Sequence, residues 1–170
     1  EPSTEKLMLE ADLYQQINML EVAIDKLQEA LDLEPNDPII HFALAELLYY
    51  DGQYLRATRE YETVLETGEY EVNGVNIFSR MADCSLQSGN YSDAISLFDE
   101  INEEEMNSED YFKKSIAYEK NDLTQEAIKI MQTLLSKDPD FIQGYFYLQS
   151  LFENEKNYPD AIETGKEGLR

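Results

Sequence analysis

Five alanines, Ala23, Ala57, Ala94, Ala127 and Ala161, recur at intervals of 34, 37, 33 and 34 residues. A fixed period near 34 marks an array of stacked helix-turn-helix units, none of which can bury its apolar face alone, so the period sets the architecture before any single element is assigned. Alanine suits such a slot because only a small side chain lets the second helix of a pair lie close against the first.

The positions around each alanine agree with paired helices. In the second unit His41, Leu44, Ala45, Leu48, Ala57, Tyr61 and Val64 fall on helical spacings. Asp37 is placed to cap the first helix, Pro38 suits its first turn, and Gly52 supplies a left-handed stop before the second. Equivalent slots hold Leu7, Ala11, Tyr14, Leu27 and Ala30 in the first unit, Phe78, Met81, Ala82 and Phe98 in the third, and Tyr111, Ser115, Tyr118, Met131 and Leu134 in the fourth. The fifth has Tyr145, Leu148 and Phe152, then Gly165 and Gly168 where bulky residues are expected, which predicts a weakened last helix.

These residues resemble the tetratricopeptide repeat, with its pattern W-x2-L-G-x2-Y, then A-x3-F, then P. The leading aromatic slot holds Leu7, His41, Phe78, Tyr111 and Tyr145, the small slot holds the five alanines, and the closing proline appears as Pro35 and Pro139. The pattern is broken at the second junction, where Thr67 to Val75 is three residues longer than the family's and carries Gly68 and Gly74. It is broken again at the third, where Ile101 to Ser108 lacks the proline. The resemblance implies an all-α, right-handed α-solenoid of about five units, near 4–37, 38–71, 75–107, 108–141 and 142–170, in a single array. It also implies an irregular superhelix around the third unit and a segment of a longer bacterial multi-repeat protein.

Composition narrows the partners. Of 170 residues 42% are hydrophobic, enough for a real core, and the net charge is -23. Such a field repels phosphate backbones and anionic lipid surfaces, so neither nucleic acid nor direct membrane binding is expected. Residues 1–105 carry 24 acidic and 5 basic side chains, whereas residues 106–170 carry 12 and 8. Cys84 is the single cysteine, which rules out an intrachain disulfide and favours a cytoplasmic home. The chain begins with Glu1 rather than Met, leaving room for an upstream targeting or membrane segment.

No catalytic constellation is visible. The single histidine, His41, occupies a packing slot, and Cys84 has apolar neighbours and no base close in sequence. The acidic runs at 103–105 and around Pro139 lack the ligand spacing and glycine of a calcium loop, one histidine cannot build a transition-metal site, and no phosphate-cradling loop is present. The reading is a non-enzymatic chain with no cofactor and no metal, in which residues 103–105 form a solvated turn.

What remains is a surface. In the family that these residues resemble, the first helices of successive units line a concave face. Its partner-contacting slots map here to Met8, Asp12, Phe42, Glu46, Tyr49, Tyr50, Arg80, Asp83, Phe112, Lys113, Phe146 and Tyr147. Aromatic anchors beside carboxylates favour a protein or peptide with apolar and basic residues, although some of these aromatics can equally pack between helices. The carboxylate clamp of chaperone-tail binders is not reproduced, since its positions hold Met8, Asp12, Ala43 and Asn76, with Arg80 alone retained. The expected role is a protein-interaction scaffold. The alternatives are a sensor of a short peptide acting on an effector and a module that self-associates through its ends.

Overall fold

The computed structural model describes residues 3–170. Ten helices and one small hairpin follow one another among them: α1 (Thr4–Gln16), α2 (Leu20–Leu33), α3 (Pro38–Tyr50), α4 (Tyr54–Leu65), β1 (Glu71–Val72), β2 (Val75–Asn76), α5 (Ile77–Gln87), α6 (Tyr91–Asp99), α7 (Ser108–Lys120), α8 (Thr124–Lys137), α9 (Ile142–Asn154) and α10 (Tyr158–Glu167). The chain divides into two compact units at Ser88 and Gly89, with α1 to α5 in the first and α6 to α10 in the second.

Each helix pair turns on one left-handed residue. These are Asn18, Gly52, Gly89, Asp122 and Lys156, with φ between 58° and 79°. Their spacing of 34, 37, 33 and 34 residues repeats that of the alanines. The amide that follows reaches back five residues, as in Met19 to Tyr14 O at 2.9 Å, Gln53 to Leu48 O at 2.8 Å, Leu123 to Tyr118 O at 2.9 Å and Asn157 to Phe152 O at 2.8 Å. These bonds satisfy carbonyls that the helix end would leave open. Glycine fills the turn where it is conformationally free, but Asn18, Asp122 and Lys156 adopt the same geometry at a steric cost.

The helix starts are equally local. Asp37 accepts from the amides of Ile39 (2.8 Å) and Ile40 (3.4 Å), with Pro38 in the first turn. Asn107 accepts from the Asp110 amide at 2.9 Å while Asp110 accepts from the Asn107 amide at 3.4 Å. This reciprocal capping box starts α7 at the junction that lacks a proline. At the same junction residues 103–105 form an exposed turn, and Glu103, its side chain 73% exposed, also meets Lys137 at the end of α8 at 3.2 Å.

In the first unit α1 packs on α2, α2 on α3, α3 on α4 and α4 on α5; in the second the same succession runs from α6 to α10. Four of the five periodic alanines are wholly buried and Ala161 is 2% exposed. Tyr61, Leu44, Leu48 and Ile40 fill the first core, and Met131, Leu134, Leu148, Leu151 and Phe152 the second. Burying each large apolar side chain contributes on the order of 2–3 kcal/mol.

The overlong second junction is a β-hairpin. Glu71 pairs with Asn76 and Val72 with Val75, and Asn73 (φ 52°) and Gly74 (φ 76°) make the two-residue turn between them. Two successive positive φ values define the turn whose twist matches paired strands, and Asn-Gly is its preferred sequence. The Ile77 amide bonds Tyr70 O at 2.8 Å, and Asn76 caps α5 through the Ser79 amide at 3.2 Å, so the hairpin is fastened to the following helix.

Gly165 and Gly168 have a packing role that the expectation of a weakened helix did not include. A Cβ on Gly168 would stand 2.7 Å from Tyr145 Cβ, and one on Gly165 would stand 2.5 Å from Gln149 Oε1. The missing side chains are where α10 lies against α9. No helix among the described residues is long and apolar enough to cross a membrane.

Candidate functional site

A groove of about 240 Å³ opens on the first unit between α1 and α3. Met8 and Asp12 come from α1, one turn apart on one face; Ile39, Phe42, Ala43 and Glu46 come from α3; Ala11, Leu27 and Leu47 form its floor, Gln15 its rim, and Asn73 reaches it from the hairpin. Two carboxylates line it and no cationic side chain does. Phe42 lines the groove but is buried, 6.4 Å from the Tyr61 ring, so it is not a free anchor. Asp12 is exposed and accepts from Gln16 Nε2 at 2.7 Å.

Glu46 belongs also to a second cluster, between α3 and α5. Arg80 meets it with both arms of its fork, Nε to Oε1 at 2.9 Å and Nη2 to Oε2 at 3.1 Å, and the hydroxyl of buried Tyr61 donates to the same carboxylate. The guanidinium lies 4.7 Å from the Tyr49 ring centre and 5.9 Å from that of Tyr50. Tyr49 donates to Asp83, which also accepts from Gln87 at 3.2 Å. Burial works against the charge on Arg80, but the bonds to Glu46 outweigh it and hold the guanidinium above its ordinary value. Burial, reinforced by the carboxylate partner, pushes the Tyr49 and Tyr61 phenols well above theirs. These groups keep fixed protonation states near neutral pH and hold neighbouring repeats in register, with Tyr50 left 58% exposed beside them.

The remaining sequence-derived positions lie in the second unit. Phe112 is buried against Phe141 (5.6 Å) and Tyr147 (5.2 Å). Tyr147 donates to Glu119 at 3.1 Å, Lys113 pairs with Glu109 at 3.7 Å, and Phe146 is exposed. His41 bridges Glu60 at 2.6 Å and Pro35 O at 3.0 Å, a packing role. Burial raises the Cys84 thiol to about 11 despite a hydrogen bond with Thr58, so it is not a nucleophile at neutral pH. Of the twelve positions, Met8, Asp12, Phe42 and Glu46 meet in one groove, and Arg80 links Glu46 to Tyr49 and Tyr50, with Asp83 bonded to Tyr49. Asn73 is the lining residue that helical periodicity missed, though Asn-Gly between Val72 and Val75 is a hairpin signal in its own right.

Residues 15–69 match a model described as YpiA-like tetratricopeptide repeats, and residues 111–140 match a tetratricopeptide repeat model. Over 166 residues the chain is 34% identical to the TPR repeat-containing protein YpiA of Bacillus subtilis (strain 168), covering 98% of this chain and 39% of that protein's length. Among solved structures, MamA from Desulfovibrio magneticus RS-1 superposes with a TM-score of 0.83 at 18% identity, over 98% of this chain and 93% of that one. YrrB, described as a TPR protein with an unusual peptide-binding site, gives 0.76 at 17%, over 96% and 84%. These likenesses show the all-α tetratricopeptide solenoid fold.

Proposed function

Because the chain belongs to the tetratricopeptide-repeat family of protein-interaction modules, we propose that it is a non-enzymatic adaptor that holds a segment of a protein partner in the groove between α1 and α3. The lining carries the reading: an apolar floor with Asp12 and Glu46 beside it and no cation. An incoming segment gains most by burying one apolar side chain and setting a lysine or arginine against Asp12. The excess of carboxylates in residues 1–105 steers the same kind of segment over longer distances. Ala43→Arg fills the groove and sets a cation among its carboxylates. It should abolish retention of partner proteins on the immobilised chain with helicity unchanged; full retention by this variant would move the site off the groove.

A second reading is favoured by the helix ends. Ile128 and Leu135 are buried by α9, yet their counterparts 34 residues on, Ile162 and Leu169, are 58% and 79% exposed. At the other end Leu13 is 53% exposed where Leu47 is 2%. Self-association through these faces predicts a mass above that of one chain in light scattering, and loss of the excess in Ile162→Lys. A monomer at high micromolar concentration would dismiss it.

A further inference from the structure

We propose that the β1–β2 hairpin is a recognition wall of this groove, and that the Asn73 carboxamide hydrogen-bonds the backbone of the bound segment beside its buried apolar side chain. The proposal rests on the groove being the binding site argued above.

The hairpin is the element that sets the second junction apart from the others, being three residues longer than the repeat pattern requires and the only paired strands among the described residues. Its position is fixed at both ends. Asn76 pairs with Glu71 and caps α5, and the Ile77 amide closes the ladder on Tyr70. From that base the turn brings Asn73 to the groove, alongside Met8 and Asp12 of α1 and Ala43 and Glu46 of α3. A loop residue held by paired backbone and a helix cap is preorganised, so little ordering cost is left for binding.

The chemistry at that point is specific. A carboxamide offers donors and an acceptor without charge, which matches a peptide group and discriminates little between side chains. Glu46 is already engaged by Arg80 and Tyr61, so Asp12 is the carboxylate that faces an incoming cation. The groove's volume of about 240 Å³ is below the roughly 300–1,000 Å³ of sites that enclose a whole small molecule. It admits a side chain or two, and the Asn73 carboxamide can pair only with free peptide groups, which an extended segment offers and a helix, its backbone already bonded, does not. The occupant is therefore an extended segment with one apolar residue next to lysine or arginine, its backbone read by Asn73.

The test uses fluorescence anisotropy with a labelled hexapeptide carrying one leucine between two lysines, and a control with glutamates in place of the lysines. Asn73→Gly removes the carboxamide while glycine retains the positive φ of the turn, so the hairpin survives. The wild-type chain should bind the lysine peptide and not the control, and Asn73→Gly should raise Kd about 5- to 10-fold. N-methylation of the peptide at the leucine amide should cost the wild type a similar factor and Asn73→Gly little more. Equal Kd values for wild type and Asn73→Gly, with binding lost in Asp12→Lys, would overturn the role of the hairpin and leave the groove standing. No preference for the lysine peptide, or binding untouched by both Asp12→Lys and Ala43→Arg, would overturn the groove and the hairpin's role together.

Discussion

Glu46 and Arg80, 34 residues apart, meet as a two-pronged ion pair on successive first helices. Tyr49 and Asp83, also 34 residues apart, are bonded one turn further along. At this junction equivalent slots are 37 residues apart, as Ala57 and Ala94 are, so each bond joins a residue of one repeat to the residue one helical turn before its equivalent in the next. The side chains of Glu46 and Arg80 are 16% and 24% exposed. Breaking the pair should therefore cost about 1–2 kcal/mol, less than the ~3–5 of a fully buried pair, because some water compensates. In urea unfolding, Glu46→Gln and Arg80→Met should each lower stability by that amount, and the double variant by clearly less than the sum. Strict additivity would show that the two side chains do not act on each other.

Much of this architecture was legible beforehand, for physical reasons. The alanine slots are wholly or almost wholly buried because close helix approach leaves room for one methyl group, and that demand is written at one position per repeat. The caps at Asp37 and the stop at Gly52 are local chemistry, readable without tertiary context. Burial of Phe42 and Phe112 was not legible, because a residue on the first helix can face either the concave surface or the next helix, and spacing alone does not distinguish them. The hairpin was missed because a helical period was applied to a segment whose own signal is Asn73-Gly74. Asn18, Asp122 and Lys156 were missed as left-handed turns because nothing in their identity demands that conformation; the surrounding repeat imposes it.

Lys156 gives that imposition a measurable cost. It sits at φ 58°, where an L side chain crowds the following carbonyl by about 1–2 kcal/mol. Glycine there removes the crowding but makes the unfolded chain more flexible, which takes back part of the gain. Lys156→Gly should raise stability by about 0.5–1 kcal/mol, read as a higher urea midpoint at unchanged slope. A loss of stability would mean that the lysine side chain makes contacts worth more than the strain.

Gly168 should behave in the opposite sense. In an exposed helix end, glycine to alanine stabilises by up to about 1 kcal/mol. Here the added methyl would fall 2.7 Å from Tyr145 Cβ, an atom fixed to the α9 backbone. Gly168→Ala should therefore destabilise, by about 1–2 kcal/mol, and should raise hydrogen exchange in α10 before α9. Gly165→Ala should be milder, because the nearest atom is the end of the flexible Gln149 side chain. A stabilised Gly168→Ala chain would show that α10 is not held against α9 at this point.

The affinity of a groove-bound partner should fall with salt. Steering by a carboxylate-rich surface acts over a Debye length of about 10 Å at 0.1 M and is screened above it. Stopped-flow measurements should show the association rate dropping steeply between 0.05 and roughly 0.5 M salt while dissociation changes less. An association rate indifferent to salt would assign the charge to solubility alone.

Cys84 sets the alkaline limit of stability. Its thiol, 1% exposed in the first unit, is raised by burial from an ordinary 9.0 to about 11. Between those values the unfolded chain has released a proton that the folded chain keeps, so the folded state binds more protons and stability falls as pH rises through that window; below it the cysteine contributes no slope. Tyr49 and Tyr61, whose phenols are raised above 10.0 by burial and by their carboxylate partners, extend the fall to higher pH. Cys84→Ala should flatten the profile between pH 9 and about 10, leaving the tyrosine-driven fall above it. The same burial predicts that a thiol reagent at pH 8 leaves the native chain unmodified for as long as it takes to label the unfolded chain completely. Rapid labelling of the native chain, at a rate independent of urea, would show that the first unit opens around α5 far more readily than its packing implies.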